Sequence, residues 1–260
     1  MYISLKNVSV TYESIGGRVE ALRDVNLKIE KNSFVSIIGP SGCGKSTLLK
    51  VIAGLVKPTY GEVLIDGKEV RGVPQNIGFV FQEDTLFPWR NVIENVALGL
   101  HIRGVSKEER RKKALELIKM VGLEGFEYKM PHELSVGMRQ RVALIRALAY
   151  DPEIVLMDEP FGALDAQTRV ILQDELLKIW HKARKTIVFV THDPAEAITL
   201  SEVIVLLTKR PGTVKRVCKV PIPYPRSALD VRLSDEFSRI FNTLWNDLKE
   251  EVMKVRVYEK

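Results

Sequence analysis

The stretch Gly39-Pro40-Ser41-Gly42-Cys43-Gly44-Lys45-Ser46-Thr47 constrains this chain more than any other. A Gly, four free positions and then Gly-Lys-Ser is the pattern of a phosphate-binding loop. Such a loop needs a strand before it and a helix after it. Phe34-Val35-Ser36-Ile37-Ile38 is strand-like, and Leu48, Val51, Ile52 and Leu55 fall on one helical face that Pro58 ends. The glycines let the backbone approach a polyphosphate and aim N–H groups at it, and the helix N-terminus adds partial positive charge. Lys45 would neutralise β and γ oxygens and Ser46 would hold Mg²⁺.

The rest of the chain supplies a fold for this loop. With 260 residues it holds one large core or two small ones, and 45% hydrophobic with 28% charged residues is ordinary for a globular protein. Its apolar runs, such as Ile187-Val188-Phe189-Val190, have strand length and fall far short of a membrane span. Met1-Tyr2-Ile3-Ser4-Leu5 lacks the basic-then-apolar layout of a secretory leader, and two cysteines make no disulfide framework, so a reducing cytoplasm is expected. A net charge of +6 suits nucleotide, an anionic membrane surface or nucleic acid alike.

Before the loop the pattern is antiparallel β. Ile3 and Leu5 share a face, Val8, Val10 and Tyr12 continue in the other register, and a bulge is expected near Lys6-Asn7. Gly16-Gly17 signals a turn, Val25, Leu27 and Ile29 alternate, and Val63 and Ile65 close a hairpin at Asp66-Gly67. Tyr12 either packs in the core or, beside a nucleotide, stacks on its base. Ile77-Gly78-Phe79-Val80-Phe81 is a strand that ends at Gln82.

Residues from about 88 to 152 read as a mostly helical insertion. Ser106 caps a helix with Glu109 as capping-box partner and Ala114, Leu117, Ile118 and Val121 on its apolar face. Ser135 caps the next. Ile154-Val155-Leu156-Met157 is a strand buried on both faces, and it ends in Asp158-Glu159-Pro160. Adjacent carboxylates at a buried strand end need a cation or hydrogen bonds, and Mg²⁺ beside a phosphate loop is such a cation. Leu172, Leu176, Ile179 and Ala183 line a helix, residues 186–191 form the next buried strand, and it ends in His192. Asp193-Pro194 opens a helix, and residues 203–207 are the last clear core strand. Beyond, Arg210-Pro211-Gly212-Thr213 is a turn. Ser234 caps a final helix with Phe237, Phe241, Leu244, Leu248 and Val252 on a stripe that either packs on the body of the chain or meets another protein.

Over residues 1–210 these motifs together resemble the ATP-binding subunit of an ABC transporter. The phosphate loop, Gln82, Leu134-Ser135-Val136-Gly137-Met138, Asp158-Glu159-Pro160, Ala163-Leu164-Asp165 and His192 stand in that family's order and approximate spacing. The resemblance implies an α/β fold, a P-loop NTPase core with an N-terminal antiparallel β subdomain and an inserted helical subdomain, followed by a C-terminal extension, residues 211–260, with an amphipathic helix. It implies ATP and Mg²⁺ as cofactors and a head-to-tail homodimer with two ATPs at its interface. Gly39, Pro40, Ser41, Gly42, Cys43, Gly44, Lys45, Ser46 and Thr47 would cradle the phosphates, Tyr12 the base, and Ser135 and Gly137 the partner's γ-phosphate. Ser46, Gln82 and Asp158 would position Mg²⁺. Glu159 would polarise the attacking water, His192 would contact the γ-phosphate, Lys45 would stabilise its charge, Gln82 would sense it, and Asp165 would cross the interface.

One position departs from the family's Leu-Ser-Gly-Gly-Gln pattern: Val136 replaces the first Gly. A β-branched residue resists positive φ and adds bulk near the partner's phosphate, so a slow ATPase is expected. Leu86-Phe87-Pro88-Trp89-Arg90-Asn91-Val92, Arg139-Gln140-Arg141 and Arg210-Pro211-Gly212 are similar to importer cassettes for nitrate, taurine and sulfonates. That branch implies an integral membrane permease as partner, an extracytoplasmic solute-binding protein indirectly, and a place on the cytoplasmic face of the membrane. Phe87 and Trp89 either pack the helical subdomain or form a socket for a permease helix. A soluble ABC ATPase acting on DNA or ribosomes is the alternative, and an exporter cassette a third. Residues 48–133 hold no sustained heptads for a DNA-repair coiled coil, and no nucleic-acid partner is expected.

Overall fold

A computed structural model of the protein describes residues 1–14, 17–83 and 85–258. The described residues form two sheets. The first is antiparallel and contains β1 (Ile3–Ser14), β2 (Gly17–Ile29), β4 (Tyr60–Ile65) and β5 (Lys68–Glu69), in the order β2-β1-β4-β5. The bulge expected near Lys6-Asn7 is present. The register slips between Leu5 and Val8 and Asn7 has φ 51°, so Ile3, Leu5, Val8 and Val10 all point into the core despite the broken alternation. Asp66-Gly67 closes the β4–β5 hairpin. Gly16, half of the expected turn, lies outside the described residues.

The second sheet contains β3 (Phe34–Ile38), β6 (Ile77–Val80), β7 (Ile154–Asp158), β8 (Thr186–Val190), β9 (Val203–Leu207) and β10 (Val214–Lys219), in the order β10-β9-β3-β8-β7-β6. Every pairing is parallel except β10 with β9. β3, β7 and β8 are buried at every residue, as their unbroken apolar runs require in a sheet covered on both faces. α1 (Lys45–Ile52) covers one face and α5 (Ala166–Ala183) the other.

The helical insertion comprises α2 (Val92–Ile102), α3 (Lys107–Met120) and α4 (Val136–Leu148) around its own apolar cluster. Asn91 caps α2 and Ser106 caps α3, each accepting the amide three residues on. α6 (Pro194–Leu200), opened by Asp193 and Pro194, packs with α7 (Asp235–Tyr258) through Ala197, Ile198, Leu244 and Leu248. Among the described residues no helix is long and apolar enough to cross a membrane.

Four sequence expectations need correction. Leu55 is not on the buried face of α1, because the helix ends at Ile52 and Gly54, at φ 70°, turns the chain so that Leu55 is exposed. α5 turns Leu172, Leu176, Leu177 and Trp180 inward, with Ile179 only half-buried. Val252 is exposed, because at that level α7 buries Asp247 and Glu251 instead. The sheet also runs past residue 210. β10 is paired, its cations Lys215 and Arg216 reaching Glu251 and Asp247 of α7. An edge strand with adjacent cations and a register shift breaks the apolar alternation.

Candidate functional site

Four parallel strands of the second sheet end on one side of it, and the candidate residues follow their C-terminal ends. β3 runs into the phosphate loop, β6 is followed by Gln82, β7 delivers Asp158 and Glu159, and β8 leads to Thr191 and His192. The carboxyl ends of a parallel sheet are where such folds place ligands. A cavity of about 630 Å³ opens there. Tyr12, Ser41, Gly42, Gly44, Lys45, Ser46, Thr47, Gln82, Glu159 and His192 line it together. Gly39, Pro40 and Cys43 are buried as the floor of the loop. A Cβ on Gly39 would lie 2.8 Å from Cys43 Sγ, so the loop closes there only over glycine.

Gly42 (φ 72°) and Gly44 (φ 106°) take the left-handed backbone that the loop needs to open α1. Lys45 is nearly buried and donates to the Gly39 and Pro40 carbonyls at 2.9 and 3.1 Å. Its ammonium is therefore held against the loop by the loop's own carbonyls. Ser46 Oγ donates to Asp158 Oδ1 at 2.9 Å. Burial pushes the Asp158 carboxyl up; the Ser46 bond opposes this and the neighbouring Glu159 adds to it. A buried carboxylate beside a hydroxyl, with the Gln82 amide on the same cavity, is an oxygen donor set suited to a hard cation. Among the described residues no group of three or more His, Cys, Asp or Glu could form a protein cage. Mg²⁺ fits that pattern, since it is commonly held by one or two protein oxygens plus substrate phosphates.

Glu159 has φ 46°, a strained conformation for a non-glycine residue, and its amide donates to the Val190 carbonyl at 2.9 Å. This turns its carboxylate out of the sheet edge, where Oε2 lies 3.0 Å from His192 Nδ1. Beneath His192, Thr191 donates its hydroxyl to Glu196 at 2.6 Å, and Arg169 of α5 lies 3.6 Å from the same carboxylate. Arg169 also donates to the carbonyl of Leu164, beside Asp165. Burial pushes the Glu196 carboxyl up, with the Thr191 bond opposing. Sequence reasoning missed Glu196 and Arg169 because both read as ordinary helix-surface charges.

Tyr12 is not a core residue. It is part-exposed on the rim of the cavity, with its hydroxyl 3.3 Å from Thr47 Oγ1. Val19, Ala21 and Arg210 also line the cavity and were not among the expected contacts.

Ser135, Gly137 and Asp165 are not brought to this cavity. Ser135 caps α4 and Asp165 caps α5, and both are exposed. Gly137 lies against Leu164, where an added Cβ would come within 3.1 Å of its Cδ2. Val136 opens α4 without positive φ, so the expected backbone conflict is absent and only its bulk remains. That bulk lines a second cavity with Gln82 and Ala163.

Known proteins resemble this chain in sequence and in fold. The profile of the ABC transporter family matches residues 22–162. An uncharacterized ABC transporter ATP-binding protein of Methanocaldococcus jannaschii is 54% identical over 252 residues, covering 97% of this chain and 93% of that one. The aliphatic sulfonates import ATP-binding protein of Bacillus cereus is 47% identical over 227 residues, covering 87% and 89%. A solved ATP-binding cassette, dimeric in a post-hydrolysis state with ADP and Pi, superposes with a TM-score of 0.78 at 42% identity, covering 85% of this chain and 100% of the other.

Proposed function

This chain belongs to the ABC transporter family and is an ATP-binding, ATP-hydrolysing subunit using ATP and Mg²⁺, and from that premise we propose that it drives import of a small anionic solute through a membrane permease. Mg²⁺, when bound, would supply charge neutralisation on the phosphate chain. Ser46 and Asp158 would hold it, with Gln82 as the third oxygen. Lys45 and the loop amides of 39–47 take up phosphate charge, and Tyr12 supports the base. Glu159 accepts a proton from, or orients, the attacking water, and His192 fixes that carboxylate while facing the γ-phosphate. The observation that carries this assignment is the 3.0 Å contact between Glu159 Oε2 and His192 Nδ1 over the phosphate loop.

In this reading residues 1–210 are the cassette, with the helical layer at about 88–152, and residues 211–260 an extension keyed into the sheet by β10. Ser135, Gly137 and Asp165 complete the site of a second copy in a head-to-tail dimer, which explains why they stand away from their own phosphate loop, with Ser135 and Asp165 exposed and Gly137 half-buried. The loop after Gln82 is built to present a surface. Buried Asn95 accepts the Phe87 amide and donates to the carbonyls of Phe87, Arg90 and Asn91, and Trp89 beside Phe87 is 70% exposed. A cavity between α2 and α3, lined by Arg90, Ile93, Ala97, His101 and Arg110, adjoins it. These residues would receive a permease helix at the cytoplasmic face of the membrane. The likeness to the aliphatic sulfonates import protein supports a sulfonate as the solute, with taurine or nitrate the other small solutes of this proposal.

The test is affinity purification of Glu159→Gln, which is expected to bind ATP, lose turnover by about 10²–10³-fold and trap its complexes. Recovery of a polytopic membrane protein supports the import reading. Recovery of ribosomes or DNA-associated proteins without one overturns it.

A further inference from the structure

The turn joining β9 to β10 reaches the ATP cavity from the C-terminal part of the chain. Arg210 stands in it and lines the cavity with Lys45, Thr47 and Tyr12. The turn is pinned on three sides. Gly212 donates to the Ala21 carbonyl at 2.9 Å and accepts from the Arg23 amide at 3.0 Å. A Cβ on Gly212 would fall 2.2 Å from the Cys43 carbonyl oxygen, so the turn lies directly on the phosphate loop. Thr208 Oγ1 ties the turn internally, to the Lys209 carbonyl and the Thr213 amide.

The third side is α7. Glu251, 1% exposed, accepts the Lys209 amide at 3.1 Å and pairs with Lys215 at 3.0 Å and Lys254 at 2.7 Å. Burial would raise its carboxyl, but Lys254, the Lys209 amide and Lys215 hold it down to about 2, so it is charged throughout the working range. An exposed arginine is ordinarily just solvated. This one makes no hydrogen bond or ion pair within the described residues, and it shares a cavity with Lys45. Glu159, on the same cavity, is engaged with His192. Two cations gathered on a rigid frame are arranged for an anion.

We propose that Arg210 contacts the phosphate chain of the bound nucleotide, and that Glu251 of the C-terminal helix fixes the turn that presents it. The C-terminal extension is thereby a part of the ATP site. The inference rests on the reading of this cavity as that site, and the experiment separates the two.

MgADP affinity is measured by calorimetry on the full chain for Arg210→Lys, Arg210→Ala, Arg210→Glu and Lys45→Ala. Arg210→Ala is expected to weaken binding about tenfold, Arg210→Lys less and Arg210→Glu more, and the alanine variant's affinity to fall less steeply with salt than that of the unaltered protein. Normal binding by the Arg210 variants while Lys45→Ala fails overturns the proposal and leaves the site standing. Normal binding by Lys45→Ala removes the site and the proposal together. Equal losses for Lys, Ala and Glu show a structural role and also overturn it. Glu251→Gln is expected to lose part of the Arg210→Ala effect and to add nothing to it in the double variant, whereas additive losses overturn the brace. Should Glu251→Gln not fold, hydrogen exchange at the Lys209 amide of the unaltered protein decides: added protection with MgADP is expected, and none overturns the brace.

Discussion

Lys45, Asp158 and Glu196 are almost sealed from solvent at the phosphate-loop end of the sheet, whereas Ser135, Val136 and Asp165, at the openings of α4 and α5, are exposed. The two regions also differ in how well they obey local rules. The first buries three ionisable side chains, holds Glu159 at φ 46° and opens α1 from a left-handed glycine. The second is two well-capped helices, with Ser135 receiving the Met138 amide and Asp165 those of Gln167 and Thr168. Those bonds hold the Asp165 carboxyl below its ordinary range. Unfavourable features persist where the surrounding fold over-determines them, and they mark where a ligand is expected to compensate. The capped helices need no compensation within their own chain. That contrast is what the proposed dimer would produce, with its site divided between two copies, one half shaped around the nucleotide and the other held for the partner.

The contrast breaks most sharply under Lys45→Ala and Gly137→Ala. Lys45→Ala is expected to cost at least about a hundredfold in nucleotide affinity, by removing a buried cation from the phosphate site. Gly137→Ala is expected to leave binding to the single chain within about twofold and to lower turnover about tenfold or more, because its Cβ intrudes at 3.1 Å from Leu164 on the half proposed to face the partner. Titration calorimetry and steady-state ATP turnover measure the two. Equal loss of binding in both variants would erase the distinction between the regions.

A smaller effect concerns Glu196, under His192. Its carboxyl is raised by burial, so between the ordinary and the raised value the folded chain binds more proton there than the unfolded one. Stability therefore falls as pH rises from the ordinary carboxyl range through the raised value. Glu196→Gln keeps an oxygen for Thr191 and removes the charge. Thermal denaturation should show a higher Tm for the variant at pH 7, with the gain shrinking toward pH 4. A gain that does not change with pH would mean that the carboxylate is not strained by burial.

The phosphate end was legible because its geometry is local. A glycine-rich loop between an apolar run and an amphipathic helix can be read in one pass, and so can Asp158-Glu159 at the end of a buried strand. The bulge at Asn7 showed as a slip in alternation. What escaped depends on distant partners. β10 carries Lys215 and Arg216, whose counter-charges Glu251 and Asp247 lie more than thirty residues on. Arg210 reaches the cavity only because Gly212 packs against Cys43 across the fold. Glu196 and Arg169 meet from two different helices. Val252 was misplaced because the stripe on α7 turns from apolar to paired charge at Asp247, which periodicity in hydrophobicity does not register.

Val136 offers the finest test. A valine in place of glycine would be damaging if the position required positive φ, but it is the first residue of α4 and has an ordinary helical backbone. Only its bulk is left to act, on the cavity shared with Gln82 and Ala163. Val136→Gly should therefore change turnover by less than about threefold, which is under about 0.7 kcal/mol on the barrier. Its effect on nucleotide binding by the single chain should be smaller still. A rise of tenfold in steady-state turnover would show that the side chain obstructs the partner's phosphate, and that the exposed half of the site is under as much constraint as the buried one.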